Sequence, residues 1–285
     1  MVDGRENITN TYQVAIVEAA GPKCYASSLG RAVLKSIRFR MIYISIVNRQ
    51  KNLFDSPEWR NDIYVDAIPT QKEALWQLVE QVPALLRKAD LIQDLQNIEP
   101  HLVHASAARL LYAADDLDRG LDQWYAGYIV SPEGHPLRQV PSRGFPSPDT
   151  DLFAIVWDFE NNEIASCYTY YWMARLLLEN VRFAMSGALE RQPELAQARA
   201  YEHAANICRS MSSVFGVGTG KYDLRGIIGA GGITLWTCTN YFAANEATYQ
   251  KELKFCQLVQ EIASARGFRG SWTKMIERGR NATTE

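Results

Sequence analysis

The spacing of leucine and aromatic side chains constrains this chain more than any other feature. Large apolar residues recur every three or four positions along most of its length, and alternating β-branched runs are few. A period of 3.6 residues puts such side chains on one face of an α-helix, whereas a strand needs a period of two. Leu29, Val33, Ile37, Met41 and Ile44 therefore predict an amphipathic helix within 26–49. Thr70 is placed to cap a helix over 71–89 whose buried stripe runs from Leu75 to Leu86 and which Pro83 should kink. A longer helix is expected over 101–130, with Leu102, Leu110, Leu117, Leu121, Trp124 and Tyr128 along one side. Ser131 to Pro148 holds five prolines, with glycines between them, and reads as irregular chain. It predicts a linker over 131–150 between an N-terminal helical half (1–130) and a C-terminal one (151–285), the two halves forming one compact unit. In the second half, helices are expected at 159–186, 194–215, 227–245, 248–265 and 271–279. Tyr168, Tyr171, Trp172, Leu176 and Val181 should face inward on the first of these. The fold class is all-α, a multi-helix bundle.

Composition then excludes several classes. A chain of 285 residues, 47% apolar and 22% charged, can bury a sizeable core and is not a disordered tail. A formal charge of −2 supplies no strong field for nucleic acid. The densest basic stretch, Arg38, Arg40, Arg49 and Lys51, reads as the solvated side of a helix, so direct sequence-specific nucleic-acid binding is not expected. Cysteines at 24, 167, 208, 238 and 256 form no C-x-x-C pair and read as buried or partly buried thiols in a reducing compartment. The polar start lacks a signal-peptide core, and charges interrupt every apolar stretch. The expected location is intracellular, nuclear or cytoplasmic, with no membrane contact.

Three stretches carry a family resemblance. FDSPEWRNDIYVDAIPTQKEALWQLVEQVPALLRKADLI (54–92) has a short P-x-W turn and then a leucine-rich helical element. LLYAADDLDRGLDQWYAGYI (110–129) is a helix whose leucines lead to a Trp-Tyr pair. FENNEIASCYTYYWMARLLLENV (159–181) is followed by HAANICRSM, GAGGITLWTCTNYF and KFCQLVQEIASARGFRGSWTKMIERG. In order and spacing these resemble the fungal-specific transcription factor domain, the helical regulatory region of fungal zinc-cluster transcription factors. The resemblance spans most of 30–280 and rests on packing patterns that carry no chemistry. It implies regulation and effector response. It does not extend to DNA reading, because the family's zinc cluster needs closely spaced cysteines and Cys24 is the only cysteine in the first 166 residues.

The chemical candidates are few. Asp115, Asp118 and Asp122 share a helix face and could hold a divalent cation, but Arg119 and the absence of a second ligand set favour a solvated face. Gly216, Gly218, Gly220 and Lys221 fail the phosphate-loop pattern at Phe215 and Tyr222 and follow a helix rather than a strand. His101, His104, His135 and His203 make no metal or catalytic set, and His203 and Cys208 are wrongly spaced for a dyad. No metal and no cofactor is implied.

Aromatic side chains are the most suggestive feature. Tyr168, Trp172, Trp236, Asn240 and Tyr241 could line an apolar pocket for a small apolar metabolite, although a plain helical core explains the same residues. Two functions follow. The first is a transcription-factor-like regulatory or effector-binding protein of a fungal secondary-metabolite pathway, without its own DNA-binding domain, that binds a small apolar metabolite or a full-length regulator. The second is a repurposed, cofactor-free cyclase, pericyclase or isomerase acting on an apolar natural-product intermediate, with Tyr171, Glu163 and Arg175 as its candidate catalytic residues. Self-pairing into a homodimer stays open under either.

Overall fold

The computed structural model describes residues 14–64, 67–96, 98, 100–131, 137–142, 152–189, 192–215 and 231–265. Among them the chain is all-α apart from one two-stranded ribbon, as the apolar period requires. Residues 14–20 are helical (α1). There follow α2 (Ser28–Val47), α3 (Pro57–Asp62), α4 (Gln71–Val79), α5 (Val82–Gln96) and α6 (Pro100–Val130). After strands β1 (Arg138–Pro141) and β2 (Ile155–Asp158) come α7 (Asn162–Ser186), α8 (Pro193–Val214), α9 (Gly232–Ala244) and α10 (Gln250–Ala265). The expected helix at 271–279 and the start of that at 227–245 lie outside the described residues. No described helix is long and apolar enough to cross a membrane.

The chain divides into two compact units, Met1–Trp124 with Gly187–Glu190, and Tyr125–Ser186 with Arg191–Glu285. The division falls inside α6, and most of 131–150 lies outside the described residues. In the first unit Val17, Leu34, Met41, Phe54, Trp59 and Ile63 form a buried cluster. Phe54 meets Trp59 edge-on, ring centroids 5.2 Å apart. Helix starts are fixed by short polar side chains. Ser27 accepts from the Gly30 N–H, and Ser56 accepts from the Trp59 N–H ahead of Pro57. Thr70 and Glu73 form a reciprocal capping box on α4. Gly30 lets α2 approach the preceding turn, because a Cβ there would lie 2.7 Å from the Tyr25 Cα.

Several expectations need correction. The buried face of α2 is not the Leu29–Val33 stripe. Leu29 and Val33 are 74% and 48% exposed, while Leu34, Arg38, Met41, Ile42, Ser45 and Ile46 are buried. Arg38, expected in solvent, is only 2% exposed, and pairing with a buried carboxylate is what permits it. Leu102 on α6 is likewise 48% exposed, whereas Leu110, Leu117, Leu121, Trp124 and Tyr128 are buried as expected. Pro83 does not kink one helix; it separates two. α4 ends at Val79, the residue whose carbonyl the Pro83 ring would strike, and Pro83 takes the first turn of α5, where its missing N–H costs nothing. Within the proline-rich stretch, Arg138–Pro141 pairs antiparallel with Ile155–Asp158, so part of it is regular. The prolines flank the short strand or end it, and Pro141, its last residue, opposes Ile155 without an N–H to donate.

In the second unit α7 is buried on nearly every side, including Tyr168, Tyr171, Trp172, Leu176 and Val181. It packs against α8, and Glu179 ties the two together. This fully buried carboxylate lies 2.6 Å from the Arg182 Nη1 and 3.1 Å from the Arg199 Nε.

Candidate functional site

The N-terminus of α7 is set by Asn161, whose Oδ1 accepts from the Glu163 and Ile164 N–H groups. Glu163 is thereby held on the exposed first turn, where a carboxylate suits the helix dipole. Further along, Tyr168, Tyr171, Trp172 and Arg175 fall at helical spacing, and the structure does bring them together. Arg175 donates to the Tyr171 hydroxyl at 2.6 Å and lies over its ring, 5.5 Å from the centroid. Tyr168 and Trp172 have centroids 5.6 Å apart.

Other elements close around these rings. Tyr125, from the end of α6, stacks on Tyr171 at 4.9 Å and meets Tyr168 edge-on at 6.0 Å. Tyr128 meets Tyr168 edge-on at 5.6 Å. Trp157 of β2 stacks on Trp172 at 6.1 Å, and its indole donates to the Asn206 Oδ1 on α8. Phe159 packs on Tyr168. Burial pushes the Tyr128 and Tyr168 phenols well above their ordinary range. They hold their protons at neutral pH, so neither serves as a base.

Tyr241 joins a second group of rings. Its hydroxyl donates to the Gln197 carbonyl at 3.1 Å, and its ring stacks on Tyr249 at 5.9 Å. Tyr249 in turn stacks on Tyr201 at 5.0 Å, and the Tyr201 hydroxyl donates to Glu252 at 3.0 Å. Burial, together with that carboxylate, pushes the Tyr201 phenol up to about 12. Trp236 and Asn240 are half-buried one turn apart on α9.

No family model, curated protein or solved structure matches this chain. Function must therefore be argued from side chains.

The remaining candidates have plain settings. Asp115, Asp116 and Asp122 are exposed, and Asp116 pairs with Arg119 at 2.9 Å. No group of three or more His, Cys, Asp or Glu among the described residues could hold a metal ion. His104 is exposed and His203 buried; His135 and the glycine run at 216–220 lie outside the described residues. Cys24 is exposed, contrary to expectation, and the other four cysteines are buried. The Cys208 and Cys256 sulfurs are 3.7 Å apart, and Cys238 donates to the Ala204 carbonyl. Burial raises all three thiols, and thiols kept protonated are poor nucleophiles.

One charged centre went unread in the sequence. In the first unit Arg38 donates through Nε and Nη2 to both oxygens of Glu80, itself fully buried, and through Nη1 to the Tyr64 hydroxyl at 2.7 Å. The rings of Phe54, Tyr64 and Trp76 surround the guanidinium at 5.6 to 6.0 Å. Burial works against the charge on Arg38, but the Glu80 carboxylate outweighs it and holds the guanidinium protonated. Burial also raises the Glu80 carboxyl, with Arg38 opposing. The two directions pull apart, and the two-pronged geometry decides for the charged pair. The signal lay in the period: Leu34, Met41, Ile42 and Ser45 place Arg38 in the middle of a buried face.

Proposed function

We propose that the chain is a transcription-factor-like regulatory module, of the fungal zinc-cluster kind but without a DNA reader in these 285 residues. It acts inside the cell, in nucleus or cytoplasm, by holding a small apolar metabolite or pairing with a full-length regulator. The observation that supports this over catalysis is how the candidate rings are used. Tyr168 is fully buried among Tyr125, Tyr128, Phe159 and Trp172, and its phenol is held protonated. Glu163 stands on an exposed helical turn. A catalytic set needs an acid and a base converging on a space for substrate, whereas these rings fill space against one another.

The Tyr171–Arg175 contact favours a second reading, since a phenol held by a guanidinium can donate a proton in a cofactor-free cyclisation or isomerisation. One experiment separates the two. The purified protein is incubated with metabolite extract from a producing culture and analysed by native and product mass spectrometry. The regulatory reading expects a retained compound of unchanged mass, or a retained regulator. Turnover that disappears in Tyr171→Phe would overturn it.

A further inference from the structure

Three cysteines meet in the interior of the second unit. Cys208 lies on α8, Cys238 on α9 and Cys256 on α10, and all three are fully buried. Helical spacing cannot join sulfurs from three separate helices; packing brings them into one row. Two features of that row single out one pair.

The first is distance. The Cys208 and Cys256 sulfurs stand 3.7 Å apart, at van der Waals contact. Bonding distance is about 2.05 Å, so closing the gap moves each sulfur by about 0.8 Å. The two residues are 48 positions apart, and a bond between them would close a loop that holds all of α9.

The second is how the neighbours are engaged. Cys238 is hydrogen-bonded to Cys208 and gives its own proton to the Ala204 carbonyl at 3.6 Å. Its sulfhydryl is thereby turned to the backbone of α8. Thr239 bonds Cys256 and is itself held, donating to the Leu235 carbonyl and accepting from the Gln260 amide. Buried cysteines serve as small apolar fillers without touching one another, so the contact of two is more than filling requires.

Burial sets the rate of any reaction here. Thiols kept protonated react slowly, so oxidation proceeds through brief openings of the packed helices that admit a small, uncharged oxidant.

We infer that Cys208 and Cys256 are a modification site, an intramolecular dithiol that a peroxide closes to a disulfide, tying α8 to α10. One thiol takes an oxygen from hydrogen peroxide, becoming a sulfenic acid and releasing water. The second thiol displaces that oxygen as another water, and the S–S bond forms. Two thiols lose two hydrogens and two electrons, and the peroxide O–O bond is reduced. The inference goes beyond the regulatory reading and holds equally for an enzyme.

The test uses the full chain with Cys24→Ser, which removes the exposed thiol that would otherwise join two chains. The folded protein is held in hydrogen peroxide, remaining thiols are blocked with iodoacetamide in urea, and the digest is read by mass spectrometry. The expected product is a peptide pair joined through Cys208 and Cys256, lighter by two hydrogens and separated by dithiothreitol. The urea midpoint of the oxidised chain should rise above that of the reduced chain, because a closed loop limits the unfolded state. Cys256→Ala should lose both the joined pair and the shift, whereas Cys238→Ala should keep them. The joined pair is sought first with Cys208, Cys238 and Cys256 all in place, so the result does not hang on whether those variants fold. Joining of Cys208 to Cys238, oxidation that stops at sulfinic acid, no joined pair, or a midpoint no higher than the reduced chain's would each overturn the assignment. Its failure would leave the metabolite-extract experiment unaffected.

Discussion

Arg38 shows why single residues decide this structure. A guanidinium 2% exposed is tolerable only because Glu80 and Tyr64 complete its hydrogen bonds and three rings surround it. Removing one partner strands the other. Arg38→Met or Glu80→Gln alone should cost about 3–5 kcal/mol in urea denaturation, whereas Arg38→Met with Glu80→Leu should recover most of that loss. A double variant no more stable than the singles would refute the pairing account. Sulfur provides a second residue-scale prediction. Cys24 is exposed and the other four thiols are buried, so native protein should take one maleimide per chain at neutral pH and unfolded protein five. Rapid native labelling of Cys208 or Cys256 would contradict their burial.

At the scale of elements, sequence and structure agree where periodicity and caps act together. Thr70 marked the start of α4, and it caps that helix in a reciprocal box with Glu73. Thr70→Ala should therefore cost about 1 kcal/mol, with Thr70→Ser nearly neutral, both read from urea midpoints. The helices at 162–186, 193–214 and 250–265 match their expected spans to within three residues. Elsewhere local rules met competing ones. The α2 sequence carries two overlapping apolar stripes, and the choice between them fell to a charged residue that composition assigns to solvent. Pro83 was legible as an interruption, but whether a proline kinks or restarts a helix depends on the turn at Glu80 and Gln81. The ribbon at 138–141 was hidden because its partner lies across the proline-rich stretch, and pairing between distant segments leaves no local trace.

For the molecule as a whole, the helical class was plain in the sequence and the candidate site only half so. Tyr168, Tyr171, Trp172 and Arg175 share a helix, and their meeting follows from spacing. That Tyr125 and Tyr128 would complete the group could not be read from spacing, because the two segments are more than thirty positions apart. Their arrival has a practical side. Anyone dividing this protein into pieces would choose the prolines after Val130, yet the chain changes unit at Trp124–Tyr125. A piece starting at 151 would leave Tyr168 and Tyr171 without the rings that cover them, and newly bared aromatic surface promotes aggregation. A piece starting at about 120 keeps that cover. It should stay monomeric in size-exclusion chromatography where the shorter one does not, placing the useful cut in the middle of a helix rather than at its end.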